Sequence, residues 1–274
     1  YLRNPAALPL FGVPFAVKNN IDVAGWPTSA ACPAFTYTAE ADAFVVAQLK
    51  AAGAVVIGKT HLDQYATGLV GTRSPFGAVS NTFNPEYVSG GSSSGSASVL
   101  ARGLVGFSLG TDTAGSGRVP AGFNNIVGLK PTKGWFSASG VVPACRLNDT
   151  ISVFALTVED AFAVATAAGG YDAGDAYSRS NPCTAPASFK AQPDFAIPAS
   201  PEFFGDKQAE AAWLSALEQL QAGGATLHPI DFSVFHQLAE QLYYGPWVAE
   251  RTVAVGEMIN RPEEMDPVVY GIVS

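Results

Sequence analysis

Two glycine-rich, serine-bearing stretches, SGGSSSGSAS at 89–98 and GTDTAGSG at 110–117, hold the residue types best suited to chemistry in this chain. Glycine lets the backbone turn tightly and expose its N–H groups, and neighbouring serines supply hydroxyl nucleophiles. A serine nucleophile with N–H donors around a developing oxyanion is the equipment of acyl transfer. Such a serine needs a base, and none of His61, His228 and His236 is near either loop in sequence. Lys18 closes an apolar run, LFGVPFAV at 10–17. A lysine after a strand is ordinarily a solvated strand end. Were it desolvated, burial would disfavour its charged form, and an amine brought from ~10.4 toward ~7–8 serves as a general base. The pattern alone favours the solvated reading.

The first loop has three other readings. A flexible linker is one, but SVLARGLVGFSLG follows directly and must be buried. A phosphate cradle is another, but the GK[ST] ending is missing. The third is the G-x-S-x-G nucleophile elbow over Gly91–Gly95, with Ser93 as nucleophile and Asp231 and His236 as downstream partners. That motif needs a preceding strand, and NPEYVSG is a poor one. In the second loop Asp112 and Arg118 bracket Ser116, and a salt bridge pinning the loop is preferred to a chemical role.

The elements around these loops alternate strand and helix. Residues 10–17 read as a buried strand. A helix over 40–52, capped by Thr38 or a neighbour, stops at Gly53, and the strand AVVIG follows at 54–58. A helix from Ser94 or Ser96 to about Arg102 precedes a strand over 105–109. Thr157 and Asp160 resemble a capping box ahead of a helix over 158–168. Strands over 194–198 and 225–230 flank a helix over 206–222 with Trp213, Leu214, Leu217 and Leu220 on one side. A last amphipathic helix spans 232–260, broken near Gly245-Pro246. Residues 171–193 read as a surface connection. Strand–helix alternation indicates one α/β domain.

Composition narrows the function. The 274 residues are 48% hydrophobic and 14% charged, as in a globular protein able to bury a large core. A net charge of −8 with scattered Lys and Arg argues against nucleic acid. Cys32, Cys145 and Cys183 are odd in number and far apart, which points to a reducing, cytoplasmic compartment. No metal-ligand spacing is present, so no metal and no cofactor are expected. No apolar run reaches the roughly 18 residues of a membrane span.

Lys18 in GVPFAVKNNIDV, Ser92 in SGGSSSGSAS and Ser116 in GTDTAGSGRVPAGFNNIVGLKPTKG together resemble the amidase signature family of Ser–cisSer–Lys hydrolases. The resemblance runs without a gap from about Leu8 to Leu156, and Ser116 follows Ser92 by the family's 24 residues. It implies a mixed central β-sheet covered by helices on both faces. It makes Ser116 the acylated nucleophile and Ser92, in a cis peptide, the proton relay to Lys18. Backbone N–H groups of Thr113, Ala114, Gly115 and Ser116 would form the oxyanion hole. The wording TDTAGSGRVPA and LYYGPWVAERTVAV is similar to the allophanate hydrolase subgroup, where a Tyr and an Arg eight residues apart hold the substrate; Tyr243 and Arg251 match. From the residues alone both would sit on a helix surface, with Arg251 paired to Glu250 or Glu257. The implied reaction releases ammonia from allophanate, a small planar anion, late in obtaining nitrogen from urea or s-triazine-type compounds. A homodimer is implied by the same likeness. The expectation is a single domain over 1–274, part of a longer chain with further N-terminal helices and a C-terminal part. Another small amide as substrate, or a Ser93/His236 esterase, stays open.

Overall fold

The computed structural model describes residues 7–180 and 191–274. The chain divides into two compact units, Tyr1–Asn181 with Pro246–Ser274, and Pro182–Gly245. Cys183 and the middle of the connection expected over 171–193 lie outside the described residues.

The first unit is built on strand β1 (Pro14–Lys18). A two-strand ribbon, β2 (Pro27–Thr28) and β3 (Tyr37–Thr38), leads to helix α1 (Phe44–Ala51) and strand β4 (Val55–Thr60). Thr38 therefore pairs in the ribbon, and α1 starts at Phe44, with Ala43 in the cap position and no side-chain cap. Asp42, the nearest capping type, instead accepts from Ala24 N–H and Lys50 Nζ. Gly53, at φ +96°, ends the helix as its left-handed stop. Helix α2 (Ser94–Ala101), strand β5 (Phe107–Asp112), helix α3 (Arg118–Phe123) and strands β6 (Val127–Leu129) and β7 (Thr150–Ala155) follow, then helix α4 (Val158–Ala168). The Thr157 hydroxyl caps α4 by accepting from Asp160 N–H.

The five-stranded sheet runs β4-β1-β5-β7-β6. Strands β4, β1 and β5 are parallel, whereas β7 is antiparallel to both β5 and β6. Alternation along the strands sorts the two faces. Phe15, Val17, Leu109, Ile151 and Val153 pack with Val46 and Leu49 of α1 and Val164 of α4. On the opposite face Ala16 and Phe154 meet Ala97 and Leu100 of α2 and Ala121 of α3. Helices thus cover both faces, and the carboxyl ends of β1 and β5 lie side by side, where such sheets place their sites.

In the second unit, strands β8 (Asp194–Pro198) and β9 (Thr226–Ile230) pair in parallel on either side of helix α5 (Lys207–Ala222), and helix α6 (Ser233–Tyr244) closes it. Gly245 and Pro246 break the expected long helix, and helix α7 (Trp247–Val255) continues in the first unit. Helix α8 (Pro267–Val273) packs there too, with Val255, Met258 and Val269 against Tyr65 and Ala30. No helix among the described residues is long and apolar enough to cross a membrane.

Candidate active site

Lys18 is wholly buried, not a solvated strand end. Its side chain leaves the sheet face and is covered by Ser92 at the entry to α2 and by Thr111 of β5. Lys18 Nζ donates to Ser92 Oγ and to Thr111 Oγ1, each at 2.8 Å. Burial pulls the Lys18 ammonium down to about 7, against the opposing pull of Asp63, Asp112 and Asp149. Near neutral pH the amine is therefore divided between its two forms and can accept a proton from the Ser92 hydroxyl.

Ser92 follows the non-proline cis bond Gly91-Ser92 at the entry to α2. It is fully buried. Asp63 N–H donates to its carbonyl at 3.1 Å. The packing here leaves no room for side chains: a Cβ on Gly91 would collide with Asp63 Oδ2 and meet Gly71 N at 2.6 Å. Ser93, the elbow candidate, spends its hydroxyl on β5, donating to Thr111 C=O and accepting from Thr111 N–H. That fixes α2 to the sheet and removes Ser93 as a nucleophile. Its suggested partners fare no better. Asp231 accepts from the Ser233 N–H and hydroxyl at the start of α6. His236 is exposed on that helix.

Ser116 sits on the loop leaving β5, and Ser93 N–H donates to its carbonyl at 3.3 Å. The structure thus brings Lys18, Ser92 and Ser116 to one end of the sheet. Ser116 Oγ faces Gly68 C=O at 3.5 Å. The loop is pinned as expected: Asp112 accepts from Arg118 Nε at 2.9 Å, and also from the Gly117 and Arg118 N–H groups. Lys130 adds a second cation to Asp112 at 3.0 Å, which the sequence reading did not anticipate. Burial alone would raise the Asp112 carboxyl, but Arg118 and Lys130 outweigh it and hold it at about 2.

The carbonyls of the loop are tied down while its donors are not. Lys130 Nζ reaches Thr113 C=O, Val119 N–H reaches Gly115 C=O, and Ser93 N–H reaches Ser116 C=O. In a planar trans peptide the N–H points opposite to the C=O, so anchoring a carbonyl aims the next N–H. Among the described residues, no loop or cap hydrogen bond uses the N–H of Thr113, Ala114, Gly115 or Ser116. Ala114 keeps φ out of the positive range while Gly115 takes +151°, so only the second position depends on glycine. Ala114 is exposed, which opens the loop to a ligand from solvent. Four consecutive free donors beside a buried serine can stabilise an oxyanion.

Arg251 is 5% exposed, buried rather than on a helix surface, and its Nη1 donates to Thr67 Oγ1 at 2.9 Å. Glu250, offered as its partner, instead accepts from Leu147 N–H. Thr67 adjoins Gly68, so the guanidinium stands on the loop that borders Ser116. Two pairs of non-glycine residues, Ala30–Ala31 and Tyr65–Ala66, hold left-handed φ of 48° to 58° there. Tyr65 N–H donates to Ala30 C=O at 2.9 Å, which braces one against the other. Such strain persists where the surroundings over-determine it, commonly at functional sites. Tyr243 lies in the last turn of α6, in the second unit, and is 44% exposed. Among the described residues, no group of three or more His, Cys, Asp or Glu is placed to hold a metal ion.

Sequence reasoning missed Asp63 and Asp149, two buried carboxylates near Lys18. Neither carries a motif or periodic signal: Asp63 stands in KTHLDQYAT and Asp149 in CRLNDTIS, among other polar residues.

The Amidase family profile matches residues 1–268, and the chain belongs to that family. It is 51% identical over 274 residues to urea amidolyase of Lachancea kluyveri, covering 98% of this chain and 15% of that protein. Against urea amidolyase of Saccharomyces cerevisiae it is 50% identical, again over 15% of the relative. Among solved structures, Kluyveromyces lactis allophanate hydrolase superposes with a TM-score of 0.96 at 49% identity, covering 98% of this chain and 45% of that one. The chain therefore spans less than half the length of each of these relatives.

Proposed function

We propose that this chain carries the amide-hydrolysing site of an allophanate hydrolase, releasing ammonia from allophanate. The observation that carries the reading is the buried Lys18 amine at 2.8 Å from Ser92 Oγ, beside the Ser116 loop with its unused N–H donors. Neutral Lys18 takes the Ser92 proton as Ser92 takes that of Ser116, so Ser116 attacks the carbonyl without forming a free alkoxide. The N–H groups of Thr113, Ala114, Gly115 and Ser116 bind the tetrahedral oxyanion. The relay run backwards protonates the departing ammonia, and water repeats the cycle on the acyl-enzyme.

The substrate class follows from Arg251. A buried guanidinium held on Thr67, next to the Gly68 carbonyl that Ser116 faces, suits a carboxylate through its fork of donors. Allophanate is such an anion, and identity near 50% to K. lactis allophanate hydrolase supports it. The substrate role of Tyr243 rests on the family resemblance alone. So do a homodimeric assembly and a place in nitrogen release from urea or s-triazine-type compounds; cytoplasmic location rests on the scattered cysteines.

The test is ammonia release from allophanate by the full-length protein, beside Ser116→Ala, Lys18→Ala and His236→Ala. Activity in the wild type and His236→Ala alone is the expected result. A wild type inert to allophanate but splitting another amide with the same variant pattern would keep the mechanism and discard the substrate.

A further inference from the structure

We propose that Asp149 is a positioning residue for the oxyanion loop, acting through the Thr113 hydroxyl; the inference rests on the oxyanion role proposed above. Asp149 takes no part in the proton relay. It is buried in the turn just before β7. Its Oδ1 accepts from Thr113 Oγ1 at 2.6 Å and from Cys145 N–H at 3.1 Å. Its Oδ2 accepts from Ala144 N–H at 2.8 Å and from Cys145 N–H at 3.1 Å. Burial pushes this carboxyl up, and the Thr113 hydroxyl followed by the two backbone donors draws it back. Hydrogen bonds onto a carboxylate are short and roughly twice as strong as neutral ones, so this grip is firm.

Thr113 needs a grip of this kind. The β5–β7 ladder ends at the Asp112–Thr150 pair, so sheet pairing no longer holds the chain one residue later. Asp149 takes the Thr113 side chain while Lys130 takes its carbonyl at 3.4 Å. Held at both points, the rigid Thr113–Ala114 peptide keeps the Ala114 N–H aimed. The turn bearing Asp149 is itself anchored. Glu250 Oε2 accepts from Leu147 N–H at 3.2 Å and from Cys145 Sγ at 3.3 Å. Glu250 precedes Arg251 on α7, so one turn braces both the donor loop and the helix of the substrate arginine.

Donors fixed in advance stabilise charge that develops only in the transition state, so loosening them lowers kcat and leaves KM nearly unchanged. In the full-length protein acting on allophanate, Thr113→Val keeps the shape and removes the hydroxyl donor. It lowers kcat by about 10–100-fold, part of the 10²–10³ that loss of a whole donor costs, with KM within about twofold. Thr113→Ser restores most of that loss. Asp149→Asn sets an amide NH2 against the Ala144 and Cys145 N–H donors and loosens the turn that holds Thr113, so it lowers kcat comparably. Combining it with Thr113→Val adds little, because both act through the same contact. Melting temperatures confirm folding, and Ser116→Ala is run alongside. Should Asp149→Asn not fold, the Thr113 pair decides alone. Full kcat in folded Thr113→Val, a loss confined to KM, or equal losses in Thr113→Val and Thr113→Ser overturns the inference. Beside an inactive Ser116→Ala, any of these leaves the oxyanion reading standing. Activity in Ser116→Ala overturns both.

Discussion

Lowering pH should switch the enzyme off by charging Lys18, and the size of the effect follows from its burial. The amine must be neutral to take the Ser92 proton, and in the folded protein it titrates at about 7. The neutral fraction is then about nine-tenths at pH 8, half at pH 7 and one-tenth at pH 6, so kcat/KM falls about tenfold from pH 8 to pH 6. A solvated lysine near ~10.4 would instead cause about a hundredfold fall over that range, with no plateau before pH 10. The buried neighbours set the limb. Desolvation lowers the Lys18 value, while Asp63, Asp112 and Asp149 raise it, with Asp112 partly answered by Arg118 and Lys130 and Asp149 by Lys133. Asp63→Asn removes the largest of the opposing charges and moves the limb to lower pH. The assay is steady-state ammonia release in constant-ionic-strength buffers from pH 5 to 10. A unit slope persisting through pH 9 in the wild type, or a limb that moves upward in Asp63→Asn, would refute the reasoning.

The same burial has a stability counterpart. Because the folded value lies below the unfolded one, Lys18 adds stability as pH rises from about 7 toward 10.5. Lys18→Met should flatten that rise relative to wild type by up to about 1.4 kcal/mol per pH unit, read from denaturant midpoints at pH 7.5, 8.5 and 9.5. Arg251→Lys keeps the charge and loses the fork, so KM should rise about tenfold for carboxylate-bearing amides and stay level for uncharged ones. Competition kinetics between the two substrate types measures this. Gly91→Ala drives a methyl into Asp63 and the Gly71 backbone, so thermal unfolding should report a loss of about 1–3 kcal/mol together with lost activity.

Local signals in the sequence carried the parts of the fold that local physics decides. The apolar run before Lys18, the Gly53 stop, the Thr157 cap and the Gly245-Pro246 break each act within a few residues, and each appears where expected. The start of α1 was misjudged because Thr38 pairs across the ribbon, a partner that helix periodicity does not reveal. Strand β7, which turns a parallel sheet into a mixed one, was not read as a strand from its own residues. TISVFA is short and fully buried on both faces, and its polar–apolar alternation lasts only over TISV before Phe154 and Ala155 break it. At the site, both loops were visible as glycine and serine clusters, but their roles were not. Lys18 looked solvated because the groups that cover its side chain, Ser92 and Thr111, lie 74 and 93 residues away in the sequence. Ser93 matched a nucleophile motif better than Ser92 did, yet the contact with Thr111 across 18 residues assigns it to structure. Asp63 and Asp149 act through space on Lys18 and Thr113 and leave no periodic trace.

Covalent labelling tests the central claim most directly. The full-length protein would be treated with a serine-directed sulfonyl fluoride, digested, and the modified peptide mapped by mass spectrometry, beside Lys18→Ala and Ser116→Ala. The account predicts a single label on Ser116, strongly slowed in Lys18→Ala and absent in Ser116→Ala. Labelling of Ser93, or of Ser116 at an unchanged rate without Lys18, would contradict it.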